Sequence, residues 1–208
     1  MYLTKRIAVA GRIAVNLRSF EKEIEQATAE HVLRELGFSL ASVNVCTVTR
    51  GLIGRDYRRG ARSWEAPNVF DCSGFTRYCY AQFGLWLPRR SIQQFKYGRR
   101  VTKLRPGDLL FTRGWRAYWD ERVPDGIGHV GLYVGDGRVV HAANRRLGVV
   151  ETNVTTFTEH EHYRGAVRIY PNLSQLTTLV LPERWADVET VEDVLWVLRM
   201  HKSKDRSK

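Results

Sequence analysis

Three short segments of this chain carry residue types that could do chemistry together: Asp71-Cys72-Ser73-Gly74-Phe75, Gly128-His129-Val130-Gly131 and Val140-His141-Ala142. A cysteine thiolate can attack an acyl carbon. A histidine can take the thiol proton and later return it to the leaving amine, while a second polar ring fixes its orientation. The chemistry would be acyl transfer. A helix starting at Cys72 would present unpaired N–H groups and partial positive charge, which lower a thiol pKa and stabilise an oxyanion. Gly74 would let that helix pack closely or let substrate approach. A free cysteine is also commonly just a buried apolar residue, a reading that suits Cys46 and Cys79. Two neighbouring histidines invite a metal, but a zinc site needs a third and usually a fourth ligand. No Cys/His/Asp pattern nearby supplies them, so neither metal nor cofactor is expected. His160-Glu161-His162 could chelate locally and reads better as a solvated loop.

These residues need elements to hold them. A helix is expected from about Cys72 to about Gly84, and a turn at Leu104-Arg105-Pro106-Gly107-Asp108 introduces the buried strand Leu109-Leu110-Phe111. Strands over 129–134 and 138–143 flank Gly135-Asp136-Gly137, a hairpin signal. Two more strands are expected at 149–152 and 166–170. On the first strand of the hairpin His129, Gly131 and Tyr133 share a face that could open onto a cleft; Val130, Leu132 and Val134 share the core face. Parity decides whether the histidines meet. A two-residue turn would put His129 and His141 on opposite sides. A three-residue loop, pairing Val134 with Arg138 and His129 with Ala143, puts them diagonal on one face, with Gly137 at positive φ. A helix followed by a strand meander is an α+β arrangement.

Cysteine, then histidine, then a polar third member, in this order and spacing, resembles the NlpC/P60 family of cell-wall peptidases over residues 51–170. The resemblance implies a papain-like α+β domain, with the helix bearing the nucleophile packed on an antiparallel sheet. It implies Cys72 as nucleophile, His129 as base and His141 as the group that orients the base. The substrate so implied is a peptidoglycan stem peptide or muropeptide, cut between D-glutamate and a diamino acid through a thioester on Cys72, with no cofactor. Tyr57, fifteen residues before Cys72, matches a family tyrosine thought to line the oxyanion site and the amine pocket. Asp71 and Ser73 match residues that hold the free amino end of the stem, Asp71 by counter-charge; Asp71 could equally be a helix cap. The chain departs from the family at Trp115–Gly126, a longer crossing expected to be an irregular loop. It would be either a lid or groove wall, or a loop whose aromatics pack back on the domain.

The domains expected are a helical extension over 1–50, the catalytic domain over 51–171, and a helix with a basic tail over 172–208. Ser19 could cap a helix from about Phe20 to Leu36, with Gly37 as its stop. Val188, Val191, Val194, Leu195 and Leu198 form a helical stripe, and the tail from Lys202 is expected to lack structure. With 43% hydrophobic and 26% charged residues the composition is that of a soluble globular protein. No apolar run approaches the ~18 residues of a membrane span. Arg12 interrupts the apolar stretch after Lys5-Arg6, so no signal peptide is expected, leaving a cytoplasmic enzyme or one released or injected by another route. The net charge of +11 is mostly arginine; it would favour an anionic polymer or serve only solubility. Two alternatives stay open: an amidase or acyltransferase on another amide or ester with the same fold, and a basic module that binds nucleic acid or protein.

Overall fold

The computed structural model describes residues 11–42, 44–170 and 172–205. The reading of a signal start falls partly on residues 1–10, outside the described residues. The chain divides into two compact units.

One unit spans Asn44–Tyr80 and Leu87–Pro171. Its six-stranded antiparallel sheet runs in the order Gly148–Asn153, Arg138–Asn144, His129–Gly135, Leu109–Thr112, Tyr163–Arg168, Arg99–Val101. Leu109, Leu110 and Phe111 are fully buried, as their unbroken apolar run predicts. Val130, Leu132 and Val134 face the core in the expected alternation. The helix Cys72–Ala81 buries Phe75, Cys79 and Tyr80, and ends three residues before Gly84. Two further helices, Val45–Arg50 and Ser91–Tyr97, complete the α+β unit. The first is capped by the Asn44 side chain, which accepts from the Cys46 and Thr47 N–H groups.

The central hairpin corrects the loop expectation while keeping its outcome. Gly135 pairs with Arg138, so the turn has two residues, Asp136 and Gly137, at φ 51° and 69°. Positive φ at both positions is the twist-matched hairpin turn. A bulge then takes up one residue, and Val139 pairs with Tyr133 and Val140 with Leu132. The register beyond the bulge is the one that puts His129 and His141 on one face.

Two local features set up the site. Asp56–Tyr57 pairs in parallel with Val69–Phe70, Tyr57 opposite Phe70, which brings Tyr57 alongside the approach to Cys72. The Trp115–Gly126 crossing is not irregular throughout: Tyr118–Asp120 and Val123–Ile127 form an antiparallel hairpin. Its aromatics do not pack back. Trp115, Tyr118 and Trp119 are 97%, 42% and 67% exposed. Lys96 pairs with Asp120, and Arg90 lies over the Tyr118 ring at 5.1 Å.

The second unit spans Met1–Val43, Ala81–Trp86 and Asn172–Lys208. Strands Arg12–Val15, Thr177–Val180 and Ser39–Ala41 form a three-stranded antiparallel sheet in that order. These strands stand beside the helices expected at both ends of the chain. Helices Gln26–Glu35 and Val191–Asp205 pack with the sheet around Ile13, Val15, Leu33, Phe38, Val194 and Leu198. The first helix begins later than the sequence suggests. Ser19 sits in a 3-10 turn, Leu17–Phe20, where its hydroxyl donates to the Asn16 carbonyl instead of capping. Gly37, at φ 82°, follows the helix end. Thr190 and Asp193 cap the last helix reciprocally, and that helix continues through Lys202 to Asp205, where an unstructured tail was expected; the rest of that tail, 206–208, lies outside the described residues.

Candidate active site

Cys72 opens its helix and is buried. Its thiol donates to the Gly128 carbonyl at 3.8 Å, and the Ser73 and Val130 backbone N–H groups also reach the sulfur. No hydrogen bond joins Cys72 to His129; the contact is with the residue just before it. Gly128 has to be glycine. A Cβ there would lie 2.2 Å from the Arg113 carbonyl oxygen and 2.6 Å from that of Arg116. Gly74 likewise donates its N–H to Asp71 at 2.7 Å, and a Cβ would meet the same carboxylate oxygen at 2.8 Å.

His129 and His141 meet directly, His129 Nε2 to His141 Nδ1, at 2.8 Å. His141 Nε2 in turn lies 3.3 Å from the Thr152 hydroxyl. Thr152 was not singled out from sequence. Its signal was there: on the strand paired with His141's strand, Thr152 stands opposite Val139, two residues from His141 on the same face. Phe157 is the second unforeseen residue. It stacks on His129 at 5.6 Å and meets His141 edge-on at 5.1 Å. It also explains Gly131, where a Cβ would lie 2.6 Å from the Phe157 ring. Gly131 is therefore buried under an aromatic ring, and its face does not open onto a cleft at that position.

The charge states differ from the sequence expectation. Burial, followed by the Asp71 charge, pushes the Cys72 thiol up to about 12, against the opposing pull of the backbone N–H groups. Burial pushes His129 down to about 3, with His141 adding to it, and pushes His141 down to about 4. The His129 ring keeps some exposure, so water offsets part of this push. The helix start does not outweigh desolvation here, and burial favours the neutral form of the thiol and of both imidazoles.

Tyr57 is half-buried beside Cys72. Burial raises its phenol pKa, as do the Cys72 and Asp71 charges, so the hydroxyl keeps its proton. Asp71 is engaged within the protein. Arg89 holds both its oxygens, at 3.0 and 2.5 Å, and the Gly60 and Gly74 N–H groups donate to it at 3.1 and 2.7 Å. The amine-holding role expected of Asp71 thus meets a carboxylate already paired and capped. Ser73, buried, accepts from the same Arg89 at 3.1 Å. In the sequence Arg89 is one of the many arginines behind the net charge of +11.

A cleft of about 480 Å³ opens beside the histidines, lined by Tyr57, Arg59, Trp115, Arg116, His129, His141 and Thr152 among others. His160 lines it too, its Nδ1 accepting from the His162 N–H. Among the described residues no group of three or more His, Cys, Asp or Glu side chains is placed to hold a metal, and no helix is long and apolar enough to cross a membrane.

A cysteine at a helix start, its thiol against the backbone of the segment that carries one of two paired histidines of an antiparallel sheet, is the papain-like α+β layout. The NlpC/P60 family pattern matches residues 54–168, more than half of the chain, and the chain belongs to the NlpC/P60 family. It is 40% identical over 98 residues to "Probable endopeptidase p60" of Listeria innocua, covering 45% of this chain and 19% of that protein. It is 35% identical over 106 residues to "Gamma-D-glutamyl-L-lysine dipeptidyl-peptidase" of Bacillus cereus, covering 49% of this chain and 29% of that one. The matches thus span less than a third of the length of these two curated relatives. The crystal structure of an NlpC/P60 family protein from Bacillus cereus superposes with a TM-score of 0.52 at 28% identity, over 63% of this chain and 42% of the other.

Proposed function

We propose that this chain is a cysteine endopeptidase that hydrolyses peptidoglycan stem peptides at the bond between D-glutamate and a diamino acid, through a thioester on Cys72. The observation that carries the reading is the chain of close polar contacts His129–His141–Thr152, in the same unit as a thiol at a helix start. The substrate comes from the relatives, one of which is named for a γ-D-glutamyl bond.

For His129 to accept the thiol proton, its Nδ1 must be free and its Nε2 must carry hydrogen. Nε2 then donates to His141 Nδ1, which places the His141 proton on Nε2, donating to Thr152. Cys72 Sγ attacks the carbonyl carbon as His129 takes its proton. The transfer accompanies the attack, because burial holds the resting thiol neutral. Tyr57, kept protonated, donates to the oxyanion together with the backbone N–H groups at the helix start. The C–N bond breaks as His129 returns the proton to the amine. Water, deprotonated by His129, then cleaves the thioester, releasing the acid and the thiol.

The test is digestion of whole peptidoglycan and of short muropeptides, with products read by mass spectrometry. Wild type should release fragments ending in D-glutamate, Cys72→Ala none, and His141→Gln more than His141→Ala. Wild-type release of any other set of ends refutes the bond assignment.

A further inference from the structure

The cleft beside His129 is lopsided in charge. Arg59 and Arg116 line it, both exposed, and neither guanidinium donates a hydrogen bond or forms an ion pair within the described residues. No Asp or Glu lines it. Both arginines border the reacting groups: Arg59 acts electrostatically on Tyr57, and the Arg116 backbone packs against Gly128, the residue before His129. Of the other arginines nearby, Arg58 pairs with Glu65 and Arg89 with Asp71. Asp71, the carboxylate closest to the thiol in sequence, is 8% exposed and already accepts from Arg89, Gly60 and Gly74. The site therefore offers a substrate two uncompensated cations and no spare carboxylate.

We propose that Arg59 and Arg116 form a carboxylate-binding subsite, so that the enzyme selects peptides bearing a free carboxylate next to the scissile bond and does not require a free amino terminus. This rests on the peptidase reading above and names its substrate class more closely. A glutamate linked through its side chain keeps its α-carboxylate, and guanidinium forks suit that group. A free ammonium would meet repulsion from the same cations and find the nearby carboxylate, Asp71, already paired with Arg89. Arg116 comes from the Trp115–Gly126 crossing, so the segment that departs from the family supplies half of the selectivity.

The test uses full-length Cys72→Ala protein and four synthetic alanyl-γ-glutamyl-lysine peptides. The glutamyl α-group is acid or carboxamide, and the amino terminus is free or acetylated. Calorimetry should show the acid binding about tenfold tighter than the carboxamide, acetylation changing affinity less than about threefold, and the acid preference shrinking with added salt. Arg59→Gln with Arg116→Gln should remove the preference while leaving the melting temperature unchanged. Equal binding of acid and carboxamide, loss of binding on acetylation, no binding of any of the four, or persistence of the preference in the double variant overturns the proposal. Failure of the peptidase reading shows separately, as wild type that leaves whole peptidoglycan uncut while the acid preference in binding remains.

Discussion

Around Asp71 the site is held by charge; around His129 it is held with none. The Asp71 carboxylate is gripped by a guanidinium and two backbone N–H groups. The histidines are positioned by one another, by a threonine hydroxyl and by the face of Phe157, all neutral. Fixed charge suits a wall that must not move, since a paired, hydrogen-bonded ion is costly to separate. Neutrality suits the side that must gain and lose a proton, where a permanent neighbouring charge would bias one state. Arg59 and Arg116, without an ion pair among the described residues, line the cleft beside the neutral side.

Four experiments bear on that division. The largest effect should come from removing the reacting groups: Cys72→Ala and His129→Ala each lower turnover by about 10⁴-fold or more while the fold survives. Near-wild-type turnover in either well-folded variant would end the proposed mechanism. Next comes Asp71→Ala, which takes the carboxylate from Arg89 and from two N–H groups; chemical denaturation should show a loss of about 3 kcal/mol. An unchanged midpoint would mean that the charged wall contributes nothing. Third is pH. His129 and His141, with folded pKa values of about 3 and about 4, sit below the ordinary histidine value, so the unfolded chain binds protons that the folded one refuses. Stability should be fully present above about pH 6.5 and fall as pH drops, by about 1.4 kcal/mol per unit for each histidine. A His129→Gln, His141→Gln variant should lose that acid slope. Smallest is Thr152. Thr152→Val should lower kcat by about three- to tenfold at unchanged KM, and Thr152→Ser should restore it. Equal kcat in Val and Ser variants would remove Thr152 from the chain.

What could be read from the sequence was local. The helix at Cys72, the strands around Gly135-Asp136-Gly137 and the shared face of His129 and His141 follow from spacings within a dozen or so residues. The turn was misjudged because two routes reach one register, a three-residue loop or a two-residue turn plus a bulge, and parity cannot separate them. Arg89, Thr152 and Phe157 were missed for another reason. Each acts across a fold-level contact, and alone each is an ordinary surface arginine, strand threonine or core aromatic. The Cys72 pKa went the other way because a helix start can be recognised in sequence but the depth of burial cannot. The sheet built from both ends of the chain was illegible because its strands are only three or four residues long and pair across most of the chain.

That small sheet has a consequence in time. Its central strand, Thr177–Val180, is the last of the three to leave the ribosome, long after its neighbours Arg12–Val15 and Ser39–Ala41. Until it arrives, both early strands present open edges and the apolar residues beneath them, Ile13 and Val15 among others, have no cover. The unit has high contact order by construction and can close only after the motif-bearing stretch between has been made. A stop codon just before Thr177 would therefore injure the stretch around Arg12–Val15 and Ser39–Ala41 more than the motif-bearing stretch that follows it, leaving two strands that seek a partner elsewhere.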